Sequence, residues 1–543
     1  MKRYLFLGIC ITFLFFSCKD KPLPTPEPVY IPDADNWWND DVFYEIYVGS
    51  FQDSDGNGIG DFQGLIQKLD YLNDGDPNTT TDLGVTGLWL MPIFPSPSYH
   101  GYDVTNYRKT NSNYGSLDDF KQLLDEAHQR GIKIVIDFVI NHTSKWHPWF
   151  VNSSKGNTNE KRDWYVWKNE NPGYTGPWGQ TVWHENNGAY YYGVFWSGMP
   201  DLNYRNGEVT EEIKDIARYW YEDVGVDGFR IDAAPLLIAQ GENQQHTSST
   251  LSWWRNFYAF QKNIDPGWMT VGEVWDQTSK VVPYSDQRFD YCFEFDLAWT
   301  IINAANNEHA GALEGKMQEI VDLYPPLQYG IFLTNHDQNR VIEQLGGDLS
   351  KAKMTAGILL TLPGVPYMYY GEEVAMKGVK PDEDIRKPMQ WDTGANGGFT
   401  TGGPWRPLND NYTTFNVATM QADTLSLWHH YRKLIRARTE SLPLRRGDFE
   451  VVDDQSPVLF TFQRTLDQET VTVVHNLSSS SQQNISLSLS GSDIQEGEYE
   501  VSDVLTGSVL GMVNVNSQGG YSGFSPFDLY EGQTTYVLKW EKK

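Results

Sequence analysis

Short apolar runs alternate with amphipathic stretches along most of the chain. The apolar runs have the length and composition of buried strands, and they predict strands at residues 42–48, 87–92, 132–140, 226–232, 268–274, 290–295, 330–334 and 365–370. Between them apolar residues recur at helical spacing, for example over 117–130, 209–223 and 310–323. This alternation predicts the α/β class, with a parallel (β/α)8 TIM barrel. An open doubly wound sheet is the alternative, but no glycine-rich phosphate loop follows the first strand.

Two segments depart from this alternation and predict further domains. Residues 142–205 follow the third strand and are too long for a simple connection, so we expect a small inserted domain over the barrel mouth. After a last helix near 425–438, short runs at 458–463, 470–475, 485–489 and 535–540 predict a C-terminal antiparallel β-sandwich. The predicted barrel therefore comprises 37–141 and 206–440, and the C-terminal domain comprises 441–543.

The composition favours a folded protein with a neutral ligand. The chain has 543 residues, of which 40% are hydrophobic, so it can bury sizeable cores. Its net charge of -29, from 42 basic and 71 acidic residues, excludes nucleic acid and anionic lipid surfaces as partners of the folded domains, since both require a basic surface. The 20 Trp and 31 Tyr residues offer flat faces that suit sugar rings, although large proteins also carry many aromatic residues in their cores.

The N-terminus predicts export and lipid attachment. A basic start at residues 1–3 precedes an apolar segment at 4–16, which is too short for a typical membrane span. The sequence LFFSC at 14–18 resembles a bacterial lipoprotein signal, which implies lipidation of Cys18 and a location at the cell envelope, with the lipid as the membrane attachment. The Pro-rich segment 19–36 is then an extended tether. Cys292 is left as a buried thiol, so the three cysteines predict no disulfide framework.

Three acidic residues stand at the C-terminal ends of different predicted strands: Asp232, Glu273 and Asp337. In a barrel these strand ends surround one pocket. Two carboxyl groups are what glycosidic cleavage requires, since one attacks or stabilises the anomeric carbon and the other protonates the leaving oxygen. Taken singly, each of the three is better explained as a structural carboxylate.

Arg230 precedes Asp232 by two positions in the apolar run 224–231. Alternation along a strand places both side chains on the same face. The pair is therefore either a buried structural ion pair or part of the site at the barrel mouth.

The loop after the first predicted strand has the spacing of a cation site. The sequence DSDGNGIGD at 53–61 carries oxygen side chains at alternate positions, and its glycines permit a tight turn. We expect Ca2+ to be bound by Asp53, Asp55, Asn57, Asp61 and the backbone carbonyl of Ile59. A polar loop without a metal is the alternative. The loop is not an EF-hand, because Gly64 stands where the twelfth-position glutamate would be.

Four motifs in sequence order resemble those of the α-amylase family, glycoside hydrolase family 13: DFVINH at 137–142, GFRID at 228–232, GEV at 272–274 and NHD at 335–337. Further similar segments are YHGYD at 99–103, MPDLN at 199–203, GVPYMYYG at 364–371 and RKPMQW at 386–391. The resemblance extends from residue 41 to nearly the end of the chain. The loop at 53–61 also resembles the calcium loop of the oligo-1,6-glucosidase branch, and 199–203 looks intermediate between that branch and the neopullulanases.

The resemblance implies a role for each matching residue. Asp232 would be the nucleophile of a retaining mechanism, Glu273 the acid and then the base, and Asp337 the carboxylate that holds the sugar's 2- and 3-hydroxyls. Arg230 would hold Asp232 ionised and aimed. The implied substrate-binding residues are completed by a stacking tyrosine, two histidines that bond sugar hydroxyls, and an aspartate that binds the far edge of the ring or pairs with an arginine: Tyr102, His142, His336, Asp103 and Arg340.

One departure from the family concerns the residues after the nucleophile. Typical α-amylases have Ala-x-Lys-His there, and the Lys and His contact the sugar beyond the cleaved bond. This chain has AAPL at 233–236, and neither Pro235 nor Leu236 can make such contacts. This leaves open both a second calcium near Asn141 and the sugar sites on the leaving-group side.

The sequence therefore predicts a retaining hydrolase of α-1,4-glucosidic bonds in starch-like glucans or maltooligosaccharides. An exo-acting α-glucosidase or oligo-1,6-glucosidase, or a transglycosylase of the same family, is the nearest alternative. A glucan-binding protein without catalysis is a remote one, and the intact set of three carboxyls argues against it.

Overall fold

The computed structural model describes residues 36–543. The predicted signal segment with Cys18, and the tether except for its last residue, lie outside the described residues. Among the helices of the described part, none combines the length and the apolar character needed to cross a membrane.

The described chain contains strands in three regions. In chain order they are β1 (Phe43–Ile46), β2 (Gly87–Leu90), β3 (Lys133–Phe138), β4 (Trp167–Lys168), β5 (Trp183–Asn186), β6 (Ala189–Tyr192), β7 (Gly228–Ile231), β8 (Met269–Gly272), β9 (Tyr291–Phe293), β10 (Tyr329–Phe332), β11 (Val365–Tyr369), β12 (Glu450–Val451), β13 (Leu459–Leu466), β14 (Glu469–Asn476), β15 (Gln482–Gln483), β16 (Leu487–Leu489), β17 (Gly497–Asp503), β18 (Val509–Val515), β19 (Tyr521–Phe524), β20 (Leu529–Tyr530) and β21 (Thr534–Lys542).

The α-helices lie mainly between the barrel strands. They are α1 (Val48–Phe51), α2 (Phe62–Gln67), α3 (Leu69–Leu72), α4 (Leu117–Gln129), α5 (Pro148–Ser153), α6 (Gly207–Arg218), α7 (Ser248–Ile264), α8 (Thr278–Ser285), α9 (Phe295–Asn307), α10 (Gly311–Leu323), α11 (Val341–Gln344), α12 (Leu349–Thr361), α13 (Asp382–Ile385), α14 (Val417–Ala422), α15 (Leu427–Thr439) and α16 (Leu442–Arg446).

Eight parallel strands form a closed barrel in the order β1-β11-β10-β9-β8-β7-β3-β2. The pairing of β1 with β11 closes it, with Phe43 opposite Tyr367. Each barrel strand overlaps one of the predicted apolar runs, so the predicted TIM barrel is confirmed. The strands are buried along their length because helices cover the outside and large side chains fill the inside.

Helix α4 illustrates how the local sequence builds this outer layer. Ser116 caps it, and Ser116 and Asp119 form a reciprocal capping box. Its buried residues, Phe120, Leu123, Leu124 and Ala127, recur at helical spacing and face the barrel. The polar residues of the same helix therefore face solvent.

The insertion between β3 and β7 forms a small domain beside the barrel mouth. It contains α5 and a three-stranded antiparallel sheet in the order β4-β6-β5. Backbone bridges pair His142 with Asp201 and Tyr165 with Leu202. These bridges bring the two ends of the insertion together close to the C-terminal end of β3.

The C-terminal region is antiparallel, as predicted. Its main sheet has the order β12-β13-β14-β21-β17-β18, and two short ladders, β15-β20 and β16-β19, form the opposite layer. Side chains of both layers meet in one apolar core. From the main sheet this core takes Leu459, Val474, Val501, Leu538 and Trp540, and from the ladders Leu487, Tyr521, Phe524 and Tyr530.

Helix α12 joins the barrel to the C-terminal sheet. It is buried over nearly its whole length and contacts α15, β14 and β21. At Gly357 an added Cβ would lie 2.0 Å from the hydroxyl of Thr535, so only glycine permits this close approach. Thr361 and Thr535 also contact the two ring nitrogens of the buried His475, at 3.2 and 2.8 Å respectively. The sheet is thus fitted directly onto a helix of the barrel.

Candidate active site

Arg230 is the centre of the polar side chains at the barrel mouth. It lies in β7 and is 1% exposed. Its Nη1 donates to Asp137 and to Asp232, each at 2.9 Å, and its Nη2 lies 2.7 Å from Oε1 of Glu273. A buried guanidinium requires such compensation, because an unpaired charge out of water is very unfavourable. Arg230 therefore holds three carboxyl groups that come from three neighbouring strands.

The backbone after Asp232 completes this arrangement. Ala233 has φ of 50°, in the left-handed region, and its N–H donates to Oε2 of Glu273 at 3.0 Å. Glu273 therefore binds Arg230 through one oxygen and the Ala233 backbone through the other. Because Asp232 and Glu273 share one guanidinium, their carboxyl groups lie close together.

The pKa values of both carboxyls of this pair are raised. Burial raises the pKa of Asp232 to about 6, against the lowering effect of Arg230, and Asp137 and Asp337 add to the rise. Burial also raises the pKa of Glu273, again against Arg230. Two close carboxyls titrate as a pair. The site can therefore carry one carboxylate and one carboxylic acid at the same time.

Asp337 has a different environment. Its Oδ1 lies 2.8 Å from Nη2 of Arg386 and its Oδ2 lies 3.1 Å from Nε2 of His336. Burial opposes its ionisation, but His336 and Arg386 hold the pKa of this carboxyl well below its usual range. The side chain remains 30% exposed, so an ionised acceptor faces the mouth of the barrel.

His336 is held as an imidazolium by two carboxylates. Its Nδ1 lies 2.5 Å from Oε1 of Glu45, and Asp337 lies on the other side of the ring. Burial alone would lower the pKa of His336, but Asp337 and Glu45 raise it to about 10. The predicted hydrogen-bonding histidine is therefore a charged donor that links β1 to the loop after β10.

Tyr102 and His142 form the adjoining wall. The hydroxyl of Tyr102 donates to Asp137 at 2.9 Å and lies 2.7 Å from Nε2 of His336, and its ring stacks on that imidazole. His142 donates from Nε2 to the carbonyl of Tyr102 at 3.0 Å. Burial lowers the pKa of His142 to about 4, so this second histidine is neutral.

Asp103 and Arg340 do not form the ion pair considered from the sequence. Asp103 accepts from the hydroxyl of Ser96 at 2.5 Å. Arg340 is 2% exposed and donates to the backbone carbonyls of Ile385 at 2.9 Å and Tyr370 at 2.5 Å. Its guanidinium is thus directed into the backbone below the site, which corrects the expected pairing with Asp103.

Three side chains of the network received no role from the sequence: Glu45, Asp137 and Arg386. Asp137 binds Arg230, Glu45 binds His336, and Arg386 binds Asp337. Glu45 and Asp137 are charged residues inside apolar strands, and a buried charge requires a partner. The sequence alone therefore indicated that Glu45 and Asp137 need buried partners. Arg386 offered no such indication beyond its place in RKPMQW, because its partner lies 49 positions away.

The unusual residues after Ala233 are explained by packing. Pro235 and Leu236 are buried in a short 3-10 turn. Leu236 belongs to an apolar cluster with Val182, Trp183, Tyr192 and Val194 of the inserted domain. Leu236 therefore packs against the inserted domain, and Pro235 is buried next to it.

The loop at 53–61 brings its carboxylates together. One oxygen each from Asp53, Asp55 and Asp61 lie within 4.8 Å of one another. Asp53 accepts from the backbone N–H groups of Gly56 and Gly58 at 2.8 and 2.7 Å, and Asp61 accepts from Gly64 at 2.7 Å. These donors are neutral, so the mutual repulsion of the three carboxylates is not cancelled by them. Such an oxygen-rich, negatively charged group suits a hard cation.

The side chains of this loop extend the oxygen set. Asn57 contacts Asp55, with its amide nitrogen 3.1 Å from the carboxylate. The segment after Phe399 covers the loop, since Thr400 donates to Asp53 and the N–H of Trp405 donates to the carbonyl of Gly58. The loop thus connects the beginning of the barrel to a segment that follows its last strand.

Comparison with known proteins agrees with this architecture. Residues 45–447 match the family described as alpha amylase, catalytic domain. Alpha-amylase 3 of Dictyoglomus thermophilum is 40% identical over 447 residues, which cover 81% of this chain and 85% of that protein. An oligo-1,6-glucosidase of Parageobacillus thermoglucosidasius is 32% identical over 530 residues, covering 81% and 90%.

Solved structures give the same result. The crystal structure of an alpha-amylase from H. orenii superposes with a TM-score of 0.80 at 40% identity, over 92% of this chain and 99% of that one. A trehalulose synthase from Pseudomonas mesoacidophila gives a TM-score of 0.77 at 26% identity, over 93% and 99%. The similarity therefore includes proteins with different named activities.

The charge on His336 can be tested directly. Glu45→Gln removes one of the two carboxylates that stabilise the imidazolium, so we expect the pKa of His336 to fall clearly below about 10. The measurement is a pH titration of ring-labelled histidine by NMR. Glu372→Gln is the control, because burial raises the pKa of Glu372 to about 8, it is neutral at pH 7, and it binds Tyr431. An unchanged pKa of His336 in Glu45→Gln would contradict the assignment.

Proposed function

The chain belongs to the α-amylase family of glycoside hydrolases, and from this premise we propose that it hydrolyses α-1,4-glucosidic bonds in starch-like glucans and maltooligosaccharides with retention of configuration. The observation that carries the proposal is the shared binding of Asp232 and Glu273 by Arg230. A close carboxyl pair is the requirement of a retaining glycosidase.

In the first step Asp232 attacks the anomeric carbon of the sugar. The bond from that carbon to the glycosidic oxygen breaks, and the oxygen takes the proton of Glu273 as it leaves. A covalent glucosyl ester on Asp232 results. Burial raises the pKa of both carboxyls and Arg230 lowers both, so the pair can hold one proton, and the proposed step requires that proton on Glu273 and the negative charge on Asp232.

In the second step Glu273, now a carboxylate, removes a proton from water. The water oxygen attacks the anomeric carbon and the ester bond to Asp232 breaks, which restores both groups. Asp337 is ionised throughout, since its pKa is held low, and it accepts hydrogen bonds from sugar hydroxyls. Tyr102 and the two histidines line the same sugar site.

Relatives named as oligo-1,6-glucosidases support one alternative, an exo-acting enzyme with α-1,6 preference. A transglycosylase is the other, because a sugar hydroxyl can replace water in the second step. Both use the same carboxyl pair. They differ from the proposed enzyme in the products that they form.

The test is a time course of products from soluble starch, maltoheptaose and isomaltose, separated by oligomer length. We expect mixed maltooligosaccharides early in the starch reaction, because an endo-acting site cleaves within chains. Glu273→Gln is the control. It keeps the shape of the acid without its proton, so turnover should fall by at least about 1000-fold while sugar binding persists. Glucose as the only early product, or a preference for isomaltose, would assign the chain to the exo-acting alternative.

We also propose that the loop at 53–61 binds Ca2+. The ligands would be the side chains of Asp53, Asp55, Asn57 and Asp61 with the carbonyl of Ile59. The convergence of three carboxylates among neutral donors supports this. A bound cation would stabilise the loop against the segment around Thr400 and so support the barrel mouth, with no part in the bond-breaking steps.

Removal of calcium should therefore lower thermal stability. At free Ca2+ of 100 times Kd, binding contributes about 2.7 kcal/mol, so EGTA should lower Tm and added Ca2+ should restore it. Asp55→Ala is the matched variant, because Asp55 is exposed and its loss should cost little in the metal-free protein. It should weaken the response to Ca2+. A Tm that does not respond to Ca2+ in the wild-type protein would exclude the site.

Finally, we propose that the protein is exported and attached to the cell envelope through a lipid on Cys18. The support is the sequence at 14–18 and the Pro-rich segment that follows it. In a bacterial host, Cys18→Ser should move the protein from the membrane fraction to the soluble fraction. Mass spectrometry of the N-terminal peptide should detect a lipid only with Cys18 present, and an unmodified Cys18 in membrane-bound protein would refute the attachment.

A further inference from the structure

A groove lies between the barrel and the C-terminal domain. Its volume is about 610 Å³, and its lining includes Tyr329, the first residue of β10, and Pro363, which stands just before β11. The catalytic carboxyls follow the C-terminal ends of the barrel strands, so this groove lies at the opposite end of the barrel. It has no part in the bond-breaking steps.

The walls of the groove are mainly apolar. Helix α10 and the loop that follows it contribute Val321, Tyr324 and Pro326, and the C-terminal domain contributes Phe449 and Leu466. Val321 is 42% exposed, and Pro326 is also exposed. A concave apolar surface that is open to water is a typical binding place for a ligand or a chain segment.

The described chain begins beside this groove. The carbonyl of Asn36 accepts from Nη2 of Arg446 at 3.2 Å, and Arg446 is itself one of the lining residues. Two ion pairs fix the chain a few residues later, because Oδ1 of Asp40 lies 2.7 Å from Nε of Arg446 and 2.9 Å from Nη1 of Arg445. The Pro-rich tether therefore joins the fold at the wall of the groove.

One part of the tether is apolar. Its longest apolar run is PVYIP at 28–32, whereas the other prolines are mostly flanked by charged or polar residues. Pro32 is four positions before Asn36 and Val29 is seven, so a fully extended chain places them at most about 14 and 25 Å from Asn36. The run can therefore reach the groove whose wall Arg446 forms.

The groove and the run are suited to each other. Proline favours an extended, polyproline-like chain that has little conformational freedom to lose, and grooves lined by aromatic rings bind such chains. Three rings line this groove, those of Tyr324, Tyr329 and Phe449, and the first two have centroids 5.3 Å apart. Because both partners belong to one chain, binding costs no loss of translational freedom.

We propose that residues 29–32 dock in this groove of the same chain, with Tyr30 and Ile31 against its apolar walls. The tether is then held at the end of the barrel opposite the catalytic mouth. A membrane attachment at Cys18 would hold the enzyme by that end and leave the mouth open to a long substrate. The docking does not depend on which glycosidic bond the enzyme cleaves.

The first test is digestion of the full-length protein with chymotrypsin, which cleaves after aromatic residues such as Tyr30. Docking protects this site. Val321→Arg places a charged side chain in the groove wall at an exposed position, so it should release the run without unfolding the protein. We expect cleavage after Tyr30, followed by intact mass, to be at least about 10-fold faster in Val321→Arg than in the wild type.

Leu323→Arg is the matched control. Leu323 lies in the same helix, is 45% exposed and is not among the residues that line the groove. Its rate of cleavage after Tyr30 should equal that of the wild type. Equal rates in the wild type and Val321→Arg would overturn the proposal, since the groove would then give no protection. The same acceleration in Leu323→Arg would also overturn it.

Cross-linking identifies the occupant of the groove. With the two cysteines of residues 1–18 replaced by serine, the buried Cys292 is the remaining native thiol. In the presence of oxidised glutathione, Ile31→Cys with Val321→Cys should form a disulfide within one chain at least about 10-fold faster than Ile31→Cys with Leu323→Cys. Equal rates would overturn the docking. Disulfide-linked dimers would assign the groove to the tether of a second copy and overturn docking within one chain.

Discussion

The buried guanidinium of Arg230 is the constraint on which the site depends. It lies inside the barrel with three carboxyls against it, and two further cations, Arg386 and the imidazolium of His336, stand nearby. These three cationic groups face five carboxyls, those of Glu45, Asp137, Asp232, Glu273 and Asp337. Carboxyls are therefore in excess. Burial is the main cause of the raised pKa values of Asp137, Asp232 and Glu273, and neighbouring carboxyls add to the rise at Asp232 and Glu273. The site can therefore retain a proton on one of its carboxyls.

The same constraint explains why a closed barrel is suited to the task. The carboxyls come from the ends of β3, β7 and β8, and Glu45 and Asp337 come from β1 and the loop after β10. No single segment of chain could hold five like charges at such short separations. The strands do so because hydrogen bonds to neighbours on both sides fix each of them. The inserted domain is attached at the same place through Leu236, so the loop after Asp232 also contacts that domain.

The sequence predicted the barrel strands because each is a short apolar run bounded by turn residues. Such a pattern is local, so it can be recognised without knowledge of the tertiary contacts. It also predicted the positions of Asp232, Glu273 and Asp337, since strand ends are where barrel side chains converge.

The sequence did not predict which side chains bind these carboxyls and the neighbouring histidine. His336 and Glu45 are 291 positions apart, and Arg386 and Asp337 are 49 apart, so their contacts exist only after closure of the barrel. The family resemblance implied that Arg340 pairs with Asp103, but its guanidinium donates hydrogen bonds to the backbone carbonyls of Tyr370 and Ile385. Pro235 and Leu236 were recognised as unusual, but the packing of Leu236 against β5 and β6 could be seen only in the structure.

The contact between α12 and the C-terminal sheet has a consequence for how the protein is made. Strand β21 lies between β14 and β17, although it follows both in the sequence, and Thr535 at its start fits against Gly357. During synthesis, β14 and β17 are made before β21, so their edges that pair with β21 remain unpaired until β21 is synthesised. The face of α12 that β21 covers is exposed for the same time. During that interval an apolar helix surface and two unpaired strand edges are open to other chains. This period of exposure ends when β21 enters the sheet.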